Sequence, residues 1–446
     1  MTRPLLALAL AATLSGSLAM ADPPSGKVFP YPTKTETLGN GLTVIMIPMP
    51  SKGLVSYYSV VRTGSRDEWE PGHTGFAHFF EHMMFRGTKN YPADAYDKLI
   101  TSMGADANAY TTDDYTAYHL SFTSDDLETV MKLEADRFQH LWYEKPAFQT
   151  EAGAVYGEYR KNRTSPWEQL FETLQNTAFT THTYKHTTMG FEADIKAMPT
   201  MYDYSRSFFE RYYRPENVVL VVAGDIKMDH VMTLATKYYG GWAKGYTAPK
   251  IPIEPAQTAE RTATVQYAGK TLPLLCVSWK GARFDPSDKR MVAAMLLGEL
   301  AFGSNSDLNK KLVLKQQRVS FLEGDFGMTR DPGLWSVYTM VKDADDVEKV
   351  RDEILATAAS FQTTLPDAKK LADLKKRLRY SFLMRLDTPD KVAGALARFV
   401  AITGGIASVD ALYTMYDSIT PQDVQEAAKV FLVPAARTVV TLKGGK

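Results

Sequence analysis

The sequence predicts an α+β protein of two similar lobes, each a mostly antiparallel sheet packed with helices. Three observations support this prediction. The order of strands and helices in the first half recurs in the second half, as in a duplicated chain. A β-rich strand closes each half, at residues 218–222 and 438–442. Between the halves, residues 244–258 contain three prolines and few large apolar side chains, which is typical of a linker.

The elements of the first half follow from local patterns. Strand patterns occupy residues 38–47 after an initial turn, 55–61, 106–122 as a hairpin that turns at 112–114, and 218–222. Helical spacing covers residues 75–86, 93–103, 124–140, 146–162, further segments within 166–211, and 228–239. The first of these helices has Thr74 as its expected N-cap and Gly87 just past its end.

The second half repeats this order. A strand at 273–279 precedes a helix at 289–300, and a strand at 335–341 precedes a helix at 347–363. Further helices are expected to about residue 431, followed by the closing strand. We therefore expect a first lobe at 22–243, a linker at 244–258 and a second lobe at 259–446.

The N-terminus has the pattern of an export signal. Arg3 precedes an apolar run from Leu5 to Leu14, and small residues at Ala19 and Ala21 suit a signal peptidase. We therefore expect residues 1–21 to be removed and the mature protein to be periplasmic or secreted by a bacterium. The apolar run is too short to span a bilayer as a stable helix, and no membrane span is expected.

Composition excludes several classes of function. Lys and Arg together number 51, as do Asp and Glu, so no net charge favours nucleic acid or an anionic membrane. The 446 residues, 45% of them hydrophobic, suffice for two or more cores of a globular protein. Cys276 is the only cysteine, so neither an intrachain disulfide nor a cysteine-based zinc site is expected.

One short motif carries chemistry. His78 and His82 are four residues apart, so on a helix both imidazoles lie on one face and can reach one ion. Glu81 lies at the edge of that face, which gives the arrangement H-x-x-E-H. Neutral imidazoles bind Zn²⁺, and a neighbouring carboxylate can take a proton from the water that zinc acidifies. So short a motif also arises by accident, and that alternative stays open on these residues alone.

A zinc ion with two histidines needs a third protein ligand and an open position for water. Glu151 and Glu158 are candidates, because seven residues make two helical turns and place both on one face. The alternative is a charged helix face in contact with solvent.

Four spaced motifs together resemble the M16 metallopeptidases of the pitrilysin type, which include the mitochondrial processing peptidase and insulin-degrading enzyme. They are G-x-A-H-x-x-E-H-M-x-F-x-G-T at 75–88, N-A-x-T-x-x-D-x-T-x-Y at 108–118, the glutamate pair at 151 and 158, and Y-x-P-x-N at 213–217. The resemblance covers essentially the whole mature chain at the length of the single-unit bacterial branch, and it extends to the beta subunit of the processing peptidase. It implies the fold shared by these peptidases and the metalloenzyme LuxS.

The resemblance also implies roles for single residues. His78, His82 and Glu158 would bind one Zn²⁺ per chain, and Glu81 would be the general base and later proton donor. Glu151 would support the site from beside a ligand. Asn108 and Ala109 match the edge strand that pairs with the backbone of a peptide substrate, although a turn or strand-edge amide is the alternative for Asn108.

The second half departs from the family. Members usually carry an Arg and a Tyr there, which bind the substrate carbonyl and the oxyanion. Asp307 stands where the Arg is expected and Ser320 where the Tyr is expected. A carboxylate cannot stabilise an oxyanion. We therefore expect a homologous partner subunit to supply the Arg and Tyr, or the chain to form a homodimer.

The function that these observations favour is an exported zinc endopeptidase that cleaves short or unfolded peptides. Two alternatives remain at this point. One is a non-catalytic peptide-binding or assembly subunit on the same fold. The other is a maturation factor that trims one specific peptide by the same chemistry.

Overall fold

Two sheets form the framework of a computed structural model that describes residues 27–445. The first sheet contains β1 (Lys34–Thr37), β2 (Thr43–Pro48), β3 (Leu54–Val61), β4 (Asp106–Thr111), β5 (Thr116–Thr123) and β6 (Val218–Gly224). The second contains β7 (Arg261–Tyr267), β8 (Leu274–Lys280), β9 (Val319–Asp325), β10 (Leu334–Val341) and β11 (Arg437–Gly444). The predicted signal peptide lies outside the described residues.

The two sheets share one topology. The first has the order β1-β2-β6-β3-β5-β4 and the second the order β7-β11-β8-β10-β9. Without β1 the two orders correspond strand for strand, and each sheet has one parallel pair, β2 with β6 and β7 with β11. All other pairs are antiparallel. The predicted α+β fold with two similar, mostly antiparallel lobes is confirmed.

Helices pack against both sheets. The first lobe has α1 (Phe76–Met83), α2 (Ala93–Ser102), α3 (Leu127–His140), α4 (Lys145–Asn162), α5 (Pro166–Ala178), α6 (Glu192–Ala197), α7 (Tyr202–Tyr212) and α8 (Met228–Tyr239). The second has α9 (Lys289–Phe302), α10 (Asp307–Asn309) with a π-helical continuation at Lys310–Lys315, α11 (Val347–Thr363), α12 (Ala368–Leu383), α13 (Pro389–Thr403), α14 (Ala407–Ser418) and α15 (Pro421–Phe431). Within residues 27–445 no single helix is long and apolar enough to cross a membrane. The helices α13 and α14 of this part of the chain together have the length and apolar composition of a membrane span, but they are bent by 91° where they meet.

The strands β1, β7 and β9 were not predicted from the sequence. Each lies at an edge of its sheet and exposes several of its side chains. Their sequences are therefore more polar than those of the inner strands. Residues 244–258 form neither helix nor strand, and the exact domain boundary there stays a prediction.

The lobes exchange helices. α13 of the second lobe packs on β3 and β6 of the first sheet, in a core that includes Val60, Val221 and Val392. In return, α5 of the first lobe packs on β7, β8 and β11, with Leu170 and Leu174 against the second sheet. Each sheet thus has one face covered by its own lobe and the other face covered by the partner lobe.

The N-terminus of α1 is held by a residue that the sequence did not indicate. Both oxygens of the buried Glu68 carboxylate accept backbone N–H groups, from Gly75 and from Ala77, each at 2.7 Å. The cap position is Gly75, whose φ of +89° and whose closeness to Ile195 leave no room for a side chain. The expectation that Thr74 caps this helix is wrong, because the Thr74 hydroxyl donates to Asp194 at 2.7 Å.

We expect the substitution Glu68→Ala to lower the free energy of unfolding by about 2 to 4 kcal/mol, because two buried N–H groups lose their acceptor. Urea denaturation followed by far-UV circular dichroism measures the change. The control is Asp97→Ala on exposed α2, which should stay within about 0.5 kcal/mol of the wild type. An effect of Glu68→Ala as small as that of the control would contradict the capping role.

Candidate metal centre

The centre lies between α1 and α4. Six of the eight residues of α1 are buried, and its apolar side chains join the core beneath the first sheet. His78 and His82 share one face of the helix, and their ring centroids are 4.8 Å apart. Because the apolar positions of α1 are fixed in the core, the two imidazoles can only face the neighbouring helix α4, which lies against α1.

Three side chains converge at this contact. Nε2 of His82 lies 3.2 Å from Oε2 of Glu158, and Nε2 of His78 lies 3.8 Å from the same oxygen. The potential ligand atoms of His78, His82 and Glu158 all lie within 4.8 Å of one another. Two imidazole nitrogens and one carboxylate oxygen are a donor set that suits Zn²⁺ with one open position. The residues present therefore fit a zinc ion.

Glu151 fixes the orientation of His82. Its Oε1 lies 2.9 Å from Nδ1 of His82, and its Oε2 accepts a hydrogen bond from Nε of Arg86 at 2.5 Å. Because a carboxylate only accepts, Nδ1 of His82 must donate, and in the neutral ring the lone pair is then on Nε2. The hydrogen bond to Glu151 raises the pKa of His82. Burial favours a raised pKa for Glu151, but the bonds from His82 and Arg86 outweigh it and lower that pKa.

His78 lies deeper than His82. Burial lowers its pKa, which favours the neutral imidazole that a metal requires. Its Nδ1 has no hydrogen-bond partner among the described residues. The two histidines are thus prepared for ligation in different ways, His78 by burial and His82 by the bond to Glu151.

Glu81 joins α1 to the edge of the first sheet. Its Oε2 accepts the hydroxyl hydrogen bond of Thr111 at 2.6 Å, and Thr111 is the last residue of β4. The strand β4 lies at one edge of the first sheet and pairs only with β5 among the described strands. Asn108 and Ala109 lie two and three residues before Thr111, and Oδ1 of Asn108 accepts the N–H of Ala109 at 2.8 Å. The geometry thus brings the predicted base and the predicted substrate strand together.

The tyrosines of the second and fourth motifs support the backbone of α1. The hydroxyl of Tyr118 donates to the carbonyl oxygen of Phe80 at 3.0 Å and lies 2.6 Å from the hydroxyl of Tyr213. Both side chains are buried. They hold the turn of α1 that carries Glu81 and His82.

Asp307 and Ser320 belong to the second lobe. Asp307 starts α10 and forms an exposed ion pair with Lys370, whose Nζ lies 2.7 Å from Oδ2. This pair lowers the pKa of Asp307. Ser320 is exposed on β9, one of the two edge strands of the second sheet. Neither residue contacts the three converging side chains among the described contacts.

Sequence reasoning missed three residues of the site. Arg86 lies four residues after His82, so helical spacing alone could have found it. Thr111 is part of the second motif, but only the fold shows that it reaches Glu81. Glu68 had no local signal, since it caps α1 from outside the helix.

The chain is similar to known peptidases in sequence and in fold. The family described as "Insulinase (Peptidase family M16)" matches residues 43–192, and that described as "Peptidase M16 inactive domain" matches residues 201–378. The zinc protease PqqE of Helicobacter pylori is 28% identical over 91% of this chain and 92% of its own length. The beta subunit of the mitochondrial-processing peptidase of Blastocladiella emersonii is 24% identical over 92% of this chain and 88% of its own length.

A crystal structure of a protease from Helicobacter pylori superimposes with a TM-score of 0.87 at 26% identity, over 93% of this chain and 99% of that one. The two family matches follow each other along the chain, and the second begins within the first lobe and continues through most of the second. These matches, the duplicated sheets and the H-x-x-E-H helix show that the chain belongs to peptidase family M16.

Proposed function

We propose that this chain is an exported zinc-dependent endopeptidase that cleaves short or unfolded peptides and is completed by a partner subunit. The observation that carries the proposal is the convergence of His78, His82 and Glu158 beside Glu81. The export signal at residues 1–21 supports a periplasmic or secreted location. The zinc protease among the relatives supports the chemistry.

His78, His82 and Glu158 would hold one Zn²⁺ per chain. When bound, zinc supplies Lewis acidity toward water and toward the peptide carbonyl. Glu151 acts through His82, since the bond to Nδ1 keeps Nε2 of His82 directed at the ligand position. Arg86 in turn holds the Glu151 carboxylate.

Glu81 is the proposed general base. The hydroxyl of Thr111 holds its Oε2, which leaves Oε1 free to take a proton from the attacking water. The same oxygen can then return the proton to the leaving amine of the cleaved peptide. Glu81 is only partly buried, so water and substrate can reach it.

The open edge of β4 is the proposed substrate site. An extended peptide can add to this edge by main-chain hydrogen bonds, which recognise a backbone more than a sequence. Asn108 adds a side-chain amide to the same edge, and Ala109 leaves the strand accessible. Because Thr111 links β4 to Glu81, a peptide on this edge would lie near the base.

A partner subunit would complete the oxyanion site. Asp307 is engaged with Lys370 and Ser320 has no cationic or phenolic group, so this chain lacks the Arg and Tyr that the family uses. A second copy of the chain would bring the same two residues, so a related chain with the Arg and Tyr fits better than a homodimer. The relative whose name includes "subunit beta" is consistent with a multi-chain arrangement.

One alternative has a specific observation in its favour. Residues 201–378 match a domain described as inactive, and the second lobe lacks the Arg and Tyr, as a non-catalytic binding subunit would. A non-catalytic chain, however, has no chemical need for two histidines, a base and a third ligand at one point. The complete set in the first lobe therefore favours the peptidase.

We expect Glu81→Gln to reduce turnover of a quenched fluorescent peptide by about 10²- to 10⁴-fold, because the amide cannot accept the proton. Zinc content, measured by plasma mass spectrometry, should not change, since Glu81 is not a ligand. The matched control Asp97→Asn, exposed on α2, should retain the rate of the wild type. Retained activity in Glu81→Gln would exclude the proposed mechanism.

We expect Glu158→Gln to weaken zinc binding more than Glu151→Gln does. Glu158 would contact the ion, whereas Glu151 acts through His82 and its loss should cost about 10- to 100-fold in affinity. Competition with a fluorescent zinc chelator measures both. Glu144→Gln, exposed just before α4, is the control and should bind zinc as the wild type does. Unchanged affinity in Glu158→Gln would refute its assignment as third ligand.

We expect the purified chain alone to cleave peptides at least about 100-fold more slowly than with its partner, because an oxyanion donor is missing. Affinity purification from the native cells should recover a related chain with the Arg and Tyr but without H-x-x-E-H. Mixing that chain with Glu81→Gln should give no activity, which assigns catalysis to the site described above. A full rate from the single chain would show that no partner is needed.

A further inference from the structure

The second lobe contains a cavity of about 620 Å³ between α9, α10, α11 and α12. Its position corresponds to that of the metal centre. α9 follows β8 as α1 follows β3, and α12 packs against α9 as α4 packs against α1. The duplication has therefore produced two related clefts, one in each lobe.

The chemistry of the two clefts differs. All eight histidines of the chain lie at or before residue 230, so the second cleft has no imidazole. In place of metal ligands it has two ion pairs that tie α12 to its neighbours. Arg377 pairs with Glu299 of α9 at 2.7 Å, and Lys370 pairs with Asp307 of α10 at 2.7 Å. Both pairs are partly exposed, so they contribute little stability and can rearrange around a ligand.

Each end of the cavity also has an unused charged atom. Glu299 accepts from Arg377 with Oε2 only, and its Oε1 has no partner among the described hydrogen bonds. Lys310 lines the other end, near Asp307, and its positive charge helps to lower the pKa of Asp307. Lys310 forms no ion pair with the residues that the structure describes. The lining includes the apolar Leu308, Phe361 and Leu374 beside the hydroxyl groups of Thr357 and Ser360. The cavity thus offers a carboxylate, an ammonium group and an apolar surface.

The spacing of these ends suits a short peptide. Lys370 and Arg377 mark the two ends, and seven residues of helix place them about 10 Å apart. An extended peptide of three residues spans about 10 Å. The cavity also has a volume in the range of small-ligand sites, roughly 300 to 1,000 Å³.

We infer that this cavity binds a short peptide with free termini, of about three residues. The ammonium group of the peptide pairs with Glu299, and its terminal carboxylate pairs with Lys310 and Lys370. The side chains lie on Leu308 and Phe361. Such a site is separate from the metal centre and does not depend on whether the metal centre is catalytic.

Calorimetry with the zinc-loaded full chain tests this inference. The chain carries Glu81→Gln so that the ligand is not turned over, and the probes are trialanine, its N-acetyl form and its C-terminal amide. We expect trialanine to bind at one site, and each blocked form to bind at least about tenfold more weakly, as for the loss of a charged hydrogen bond. Hydrogen exchange with trialanine should show protection in residues 299–310 and 357–377.

Two variants test which residues of the cavity bind the N-terminus and the C-terminus of the peptide. Glu299→Gln should remove the preference for a free N-terminus, and Lys310→Gln should weaken the preference for a free carboxylate. The control Lys376→Gln, exposed on α12 and outside the cavity, should bind as the parent does. Equal binding of the free and blocked peptides, unchanged binding in both variants, or protection confined to α1, α4 and β4 would overturn the inference.

Discussion

The candidate site depends on the burial of α1, an apolar helix that also carries polar side chains. Burial of polar groups is costly unless each has a partner. Glu68 accepts the N–H groups at the helix start, Glu151 accepts from His82, and Thr111 donates to Glu81. After these bonds are made, two imidazole nitrogens and one oxygen of Glu158 lie within 4.8 Å of one another. A bound cation would give all three groups a common partner.

The exchange of helices makes the two lobes dependent on each other. α13 covers one face of the first sheet and α5 covers one face of the second, so separating the lobes would expose both apolar faces to water. Such exposure costs about 25 cal/mol for each Å² of apolar surface. The lobes therefore pack together as one support for the metal centre.

The sequence predicted the parts of the site that follow from helical spacing. His78 and His82 had to share a face, and so did Glu151 and Glu158, once each pair lay on a helix. The inner strands were predictable because they are apolar, whereas the edge strands β1, β7 and β9 were not, because they expose more of their side chains. Contacts made by the tertiary fold left no local pattern. The bond from Thr111 to Glu81 and the cap from Glu68 are of this kind, and both required the packing of α1 to be known.

The duplication explains why one chain holds two clefts with different chemistry. The same order of strands and helices brings two helices together in each lobe, and the side chains at that contact decide what the cleft can bind. In the first lobe the contact holds two histidines and buried Glu151, so the cleft favours a cation. In the second lobe the same contact holds Glu299 paired with Arg377 and has no imidazole. The donor set that suits zinc therefore lies in the first cleft, and the ligand proposed for the second cleft is a peptide that carries both charges itself.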